Sequence, residues 1–227
     1  MSKIYLPAKN AEQWREFLAK PAIQWRTGYS AKTIAHCWQD ADGFPKCVQQ
    51  VFDAAKRKPF LRLEVLLALP EHKVKLPGGS TPSQSDIWVL ARSADDLVSI
   101  AVEGKVAETF GDTLDDWLKD ASSGKVTRLA FLQKELELPP VLPGAIKYQL
   151  LHRTASALLE AKRFNASHAM MLVHSFSERN DGFADYIEYL KLFGATASPD
   201  EVSSVGKRSG IDLHFAWVRG ELAYLQK

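Results

Sequence analysis

Asp86-Ile87-Trp88-Val89-Leu90-Ala91-Arg92-Ser93-Ala94-Asp95-Asp96-Leu97-Val98-Ser99-Ile100-Ala101-Val102-Glu103-Gly104-Lys105 is the stretch that decides the fold. Residues 87–91 and 97–102 are two short, nearly continuous apolar runs. The polar Ser93-Ala94-Asp95-Asp96 between them reads as a tight turn, so the pair predicts a β-hairpin. Neither run alternates with polar residues, which implies a sheet covered on both faces.

Working outward, residues 72–76 form a further strand candidate, closed by Pro77-Gly78-Gly79. Before it the chain reads as helical. Residues 11–18 make a short amphipathic helix, and residues 30–38 a second with Ser30 as N-cap. Residues 47–69 make a third, broken near Pro59, with Leu61, Val65 and Leu69 along one face. After the hairpin come helices over 112–120 and 125–136, then a hard break at Pro139-Pro140 and Pro143-Gly144. Residues 146–164 carry the best helical pattern of the chain. Residues 170–174 read as a buried strand, 186–193 as a helix, 198–209 as a loop and 213–218 as a last strand. The order of helix, three strands, helix and strand predicts an α/β fold with a mixed central sheet flanked by helices. The expected organisation is a single domain: a helical extension over 1–55, a core over 56–176, and a segment over 177–227 that completes the sheet.

Composition agrees with a folded domain. The 227 residues are 46% hydrophobic and 25% charged, with 29 basic against 27 acidic residues. That balance excludes disordered and fibrous classes and does not announce a nucleic-acid partner, which depends on local patches. Two cysteines, Cys37 and Cys47, exclude a disulfide scaffold. No apolar stretch is long enough for a membrane span and no secretory signal is visible, so a cytoplasmic protein with no membrane partner is expected.

The chemistry-bearing pattern lies at the ends of the hairpin. Glu103 and Lys105 alternate along a strand and so share a face. Asp86 opens the neighbouring strand, 17 positions before Glu103, which brings the two carboxylates together. Converging carboxylates repel, and an all-oxygen site relieves this with Mg²⁺ or Mn²⁺ rather than zinc. Lys105 would then stand over the site, where it can stabilise charge developing on a phosphate. The alternative is that Asp86 caps a turn and Glu103 pairs with Lys105 at the surface. Two other Glu-x-Lys triplets exist. Glu71-His72-Lys73 has no strand-borne Asp before it. In Glu160-Ala161-Lys162, on a helix, the two charges point apart.

Asp…Glu-x-Lys on a hairpin, with a helix before it and a helix and strand after it, resembles the PD-(D/E)XK restriction-endonuclease-like superfamily. The "PD" half stands here as Ser85-Asp86. The resemblance covers roughly residues 55–176. It implies an α-β-β-β-α-β core and Mg²⁺-dependent hydrolysis of phosphodiesters, with DNA as the partner. It further implies a metal-associated acid on the first helix, for which Glu64 is the choice over Glu71. A glutamine on the helix after Glu-x-Lys is also implied, and Gln149 holds that position. The superfamily also contains members that have lost catalysis and act as binding modules.

One turn beyond Gln149, His152 and Arg153 would face the same cleft and hold a phosphate, or Arg153 would pair with a carboxylate within the fold. Glu108 reads as a solvated loop acid, His174 as a hydrogen-bonded core histidine, and Cys37 and Cys47 as core thiols. The helices over 1–55 would supply substrate contacts or a homodimer face. No phosphate-binding glycine loop, dinucleotide fingerprint, nucleophile elbow or zinc-helix motif is present in the sequence.

Overall fold

The computed structural model describes residues 8–94 and 96–227. A 3-10 helix, Ala11–Phe17, and a short helix α1, Pro21–Gln24, lead into α2, Ser30–Asp40, and α3, Lys46–Ala55. Each longer helix has one apolar stripe: Ile34, Cys37 and Trp38 on α2, and Val48, Val51 and Phe52 on α3, all buried.

The helix expected over residues 47–69 ends at Ala55, where Lys56 adopts a left-handed cap at φ 48°. From Glu64 to Val74 the chain is instead strand β1. The leucine-rich run there is apolar on every side, so its periodicity suits helix and strand alike. The break at Pro59 ended the helix, and pairing with the next strand settled the matter.

The hairpin forms as expected. Strands β2, Ser83–Ser93, and β3, Asp96–Lys105, are antiparallel, with Ile87 opposite Val102 and Ser93 opposite Asp96. Helices α4, Leu114–Leu118, α5, Ser123–Leu136, and α6, Tyr148–Arg163, then cross to β4, His168–Ser175, which runs parallel to β3. Helix α7, Phe183–Lys191, precedes β5, Val202–Arg208, and β6, Ile211–Arg219. The six strands form one mixed sheet in the order β1-β2-β3-β4-β6-β5. The fold is therefore α/β, a mixed sheet flanked by helices.

Strand β5 lies where a loop was expected. It is an edge strand, Val-Ser-Ser-Val-Gly-Lys-Arg, with a register shift between Ser204 and Lys207 and Gly206 at φ 75°. An edge strand with one wet face and a bulge has no need of apolar alternation, so its sequence carries no strand signal.

Two hydrophobic layers cover the sheet. The N-terminal helices pack on one face through Trp14, Ile34, Trp38, Phe52, Val102 and Leu172. Helix α6, with α5 and α7, packs on the other through Leu150, Leu158, Ala101, Val173 and Trp217. The central strand β4 is buried on both faces, which explains its unbroken apolar run. Among the described residues no helix is long and apolar enough to cross a membrane.

Candidate active site

The site sits where β3 ends beneath the first turns of α6. Alternation along β3 aims Glu103 and Lys105 at the α6 face, and both are about 4% exposed. The residue between them points the other way, against α2. A Cβ at Gly104 would lie 3.1 Å from the Ile34 side chain, so the middle position of the triplet suits glycine.

Glu103 is the centre of a network. Its Oε1 accepts from Lys105 Nζ at 3.0 Å and from Gln149 Nε2 at 2.6 Å; its Oε2 accepts from Arg153 Nε at 2.6 Å. Lys105 also donates to Gln149 Oε1 at 3.0 Å and to the Thr109 carbonyl at 3.4 Å. Gln149 and Arg153 are four residues apart on α6, one turn, which is why both reach one carboxylate. Arg153 Nη1 continues to Ser83 Oγ at 3.1 Å, and Ser83 Oγ meets His152 Nδ1 at 2.8 Å.

Asp86 stands on the adjacent strand. Ile87 faces Val102, so the register puts Asp86 opposite Glu103. Its Oδ2 accepts from the Gly104 N–H at 2.6 Å. The other side of β2 supplies a third acid. Pro70 faces Ile87 and His72 faces Ser85, which sets Glu71 opposite Asp86. Glu71 is 9% exposed, and its Oε2 accepts from Gln84 Nε2 at 2.6 Å. One rung of the sheet therefore carries Glu71, Asp86 and Glu103 on three neighbouring strands.

The electrostatics follow from that rung. Burial would push Glu103 up, but Arg153 and Lys105 hold it below the ordinary carboxylate range. Among the described residues Asp86 forms no ion pair, and the pull of Arg153 and Lys105 on it is the lesser effect. Burial, then Glu103 and Glu71, raise its pKa well above the usual range. Burial also pushes Glu71 up to about 7, against the pull of Gln84. Three carboxylates thus face two cations. Burial and the neighbouring Arg153 push His152 well below the usual histidine range, so it is neutral at pH 7.

The network opens into a cleft of about 600 Å³ between the sheet, the start of α6 and the N-terminal helices. Ile23 and Tyr29 form part of its outer wall and are 55% and 42% exposed. Glu108 forms another part. The sequence suggests a solvated loop acid; in the structure Glu108 instead caps a helix. Its Oε1 accepts from Ser30 N–H and its Oε2 from Val106 N–H, each at 2.8 Å. Ser30 is accordingly the first residue of α2 and not its N-cap, which is Tyr29. A carboxylate at a helix N-terminus satisfies orphan amides and the helix dipole together.

Of the residues singled out in the sequence, Asp86, Glu103, Lys105, Gln149, His152 and Arg153 all line this cleft. Glu64 does not. It is the first residue of β1, not a helical residue, its side chain is 69% exposed, and its partner is Arg92 at 3.6 Å. The third acid is Glu71, which belonged to a Glu-x-Lys triplet set aside for lacking an Asp before it. The signal that finds it is register: once residues 64–74 are a strand antiparallel to β2, position 71 falls beside position 86. Of the two readings of Arg153, the structure realises pairing with a carboxylate. Glu160 likewise takes no part in the cleft; it meets His72 at 3.3 Å and Arg163 at 3.6 Å.

A family model described as a domain of unknown function, DUF6946, matches residues 7–222. The chain belongs to the DUF6946 family. No curated protein and no solved structure matches it.

Proposed function

We propose that this DUF6946 chain is a Mg²⁺-dependent phosphodiesterase of the PD-(D/E)XK type that cleaves DNA as an endonuclease. The observation that carries the reading is the surplus of buried carboxylate in the cleft. Among the described residues neither Asp86 nor Glu71, beside Glu103, forms an ion pair, and both are pushed toward protonation. Buried charge of one sign without a partner is costly, and a divalent cation is the hard, oxygen-seeking partner that such a donor set takes.

Asp86 and Glu103 are the residues that would hold the ion, with Glu71 behind them. The donor set fits Mg²⁺ or Mn²⁺ by chemistry, although among the described residues no three such side chains already form a cage. A bound divalent ion would supply Lewis-acid polarisation of phosphate and a more acidic water. Glu103 orients Lys105 and Gln149 through one oxygen. Lys105, held also over the Phe110 ring at 4.7 Å, brings a fixed positive charge to the cleft for the developing phosphate charge. Neutral His152, bridged to Ser83, leaves a hydrogen-bonding rather than a charged surface beside it.

One observation favours a second reading, a scaffold without catalysis that binds nucleic acid or protein. Both oxygens of Glu103 already accept from side chains, and Lys105 has three acceptors. The experiment is incubation of supercoiled plasmid and of single-stranded DNA with the full chain in Mg²⁺ or Mn²⁺. The expected result is cleavage that falls by at least about a hundredfold in Asp86→Asn and Lys105→Ala. Cleavage that survives both substitutions, or none with any DNA together with no Mn²⁺ binding by calorimetry, ends the nuclease reading.

A further inference from the structure

The two cysteines lie on the opposite face of the sheet from the cleft, and nothing proposed for the cleft uses them. Cys37 is on α2 and buried; Cys47 is the second residue of α3 and half-buried. The two thiols adjoin, and each shifts the other's proton affinity. Cys47 Sγ also lies 3.3 Å from His174 Nε2. His174 is fully buried on β4, and its Nδ1 receives the Trp38 indole N–H at 3.1 Å.

The indole fixes the proton positions. Trp Nε1 is a donor only, so His174 Nδ1 must accept. The neutral ring then carries its hydrogen on Nε2, which can only donate to the sulfur of Cys47. The histidine is therefore no base for this thiol; it is a hydrogen-bond donor to its sulfur. The same sulfur stands in the first turn of α3, a helix start that no side chain caps. Among the described residues His174 is the hydrogen-bond partner of Cys47 Sγ, and it gives a hydrogen rather than taking one. That surrounding favours thiolate. The adjoining Cys37, then His174, outweigh burial and bring Cys47 well below the ordinary thiol range. The Cys47 neighbour, with burial, pushes Cys37 up and keeps it protonated.

We propose that Cys47 and Cys37 form a redox-modification site, in which Cys47 is the peroxide-reactive thiolate and Cys37 the resolving thiol. A recess of about 230 Å³, lined in part by Cys47, Gln50, Asp200 and Arg219, gives a small hydroperoxide access. The Cys47 sulfur attacks the terminal peroxide oxygen. The S–O bond forms, the O–O bond breaks, and the alkoxide or hydroxide leaving group takes a proton. Cys37 then attacks the sulfenic sulfur and gives up its proton. The S–S bond forms, the S–O bond breaks, and water leaves. Overall a dithiol and a hydroperoxide become a disulfide, an alcohol (water, from hydrogen peroxide) and water. The link ties the middle of α2 to the first turn of α3. The same α2 holds Ser30, which Glu108 caps at the wall of the cleft.

Two measurements on the full-length chain test this. The first is the pH dependence of iodoacetamide labelling at Cys47, read by peptide mass. The expected rate at pH 6 is within about twofold of that at pH 8. An ordinary thiol of pKa near 8.5, as in the urea-unfolded chain, slows on the order of a hundredfold over that interval. The second is hydrogen peroxide at one equivalent. Wild type is expected to lose both free thiols in a Cys37–Cys47 disulfide that dithiothreitol reverses, whereas Cys37→Ser stops at a sulfenic acid that dimedone traps on Cys47. A hundredfold drop in folded wild-type labelling overturns the proposal, and so does wild type that keeps both thiols under peroxide. Labelling of wild type needs no variant, so misfolding of Cys37→Ser does not shield the idea.

Discussion

At one end of β3, Glu103 and Lys105 sit in a cluster of three carboxylates and two cations. At the other end, Asp96 starts a line of partners that runs through His168 and His214 to Ser204. Ser204 Oγ lies 2.7 Å from His214 Nδ1, His214 Nε2 lies 3.1 Å from His168 Nδ1, and His168 Nε2 lies 3.9 Å from Asp96. One hydrogen for each of the two short links suffices if both rings are neutral: serine gives to His214 and His214 to His168, while the carboxylate lies beyond hydrogen-bond reach of His168. Burial pushes His168 down, and burial with His168 and Arg57 pushes His214 down to about 3. The histidine end leaves no surplus charge on its rings, because both short links join a neutral donor to a neutral acceptor. The cleft end is left with carboxylate over. The same sheet thus buries polarity in two ways, and only the unbalanced way leaves room for a ligand of opposite charge.

The largest effect separates the two ends by truncation. Glu103→Ala leaves Lys105 and Arg153 buried without their shared carboxylate. Loss of one partner from a buried ion network costs about 3–5 kcal/mol. Ser204→Ala removes one neutral hydrogen bond beside solvent and costs about 1 kcal/mol. Urea unfolding of the two variants should show that ranking; equal losses would mean that the cleft is not a charge network at all.

The next effect sharpens what the surplus is for. If Asp86 waits for a cation, saturating Mn²⁺ at a hundred times its Kd raises wild-type stability by roughly 2.7 kcal/mol. Asp86→Asn should lose that rise and, being spared a buried charge, melt higher than wild type without metal. A variant that melts lower, and a wild type that Mn²⁺ leaves unmoved, would make the raised carboxylates a feature of the fold alone.

Acid and base should pull on the two ends in opposite senses. Glu71 has a folded pKa of about 7, above its unfolded value. Its stabilising contribution is whole below the unfolded value near 4.3 and is lost as pH rises through 7. His214 has a folded pKa of about 3, below its unfolded value near 6.5. Its contribution is whole above 6.5 and is lost as pH falls toward 3. A proton added there sits on Nδ1 and turns the Ser204 hydroxyl from donor to acceptor, while Asp96, Asp212, Lys207 and Arg57 supply the surrounding charge. Each slope is at most about 1.4 kcal/mol per pH unit per proton. Thermal melts between pH 4.5 and 7 should steepen upward with pH in Glu71→Gln and turn downward in His214→Gln. Parallel curves would show that neither group titrates differently on folding.

The comparison also shows what a sequence discloses. The hairpin was legible because two apolar runs and a turn leave one pairing, and Asp86, Glu103 and Lys105 followed from alternation alone. The partners on α6 were legible as well, since Gln149 and Arg153 stand one turn apart. Glu71 was not, because its place depends on the register of β1, and residues 65–69 are too uniformly apolar to distinguish strand from helix. The histidine line was hidden for a similar reason. It joins His168 and His214 on parallel strands with Ser204 on an edge strand whose composition resembles a loop. Contacts fixed by local periodicity are written in order along the chain; contacts fixed by register between distant strands are not.

Glu64 supplies the smallest prediction and the sharpest control. It begins the same strand that ends near Glu71, carries the same charge, and lies outside the cleft with Arg92 in water. An exposed pair of this kind is worth about 0–1 kcal/mol and is screened by salt. Glu64→Gln should therefore move stability by no more than about 0.5 kcal/mol, leave Mn²⁺ binding where it was, and leave any cleavage rate unchanged. Glu71→Gln, seven residues on, should weaken Mn²⁺ binding severalfold because it removes one of the three carboxylates on the rung. The pair differs in register and burial but not in charge, so the ratio of their effects measures what the rung contributes beyond acidity. If Glu64→Gln were the more damaging of the two, the chemistry would lie at the start of β1, and the cluster around Glu103 would be a buried ion network that only holds the fold.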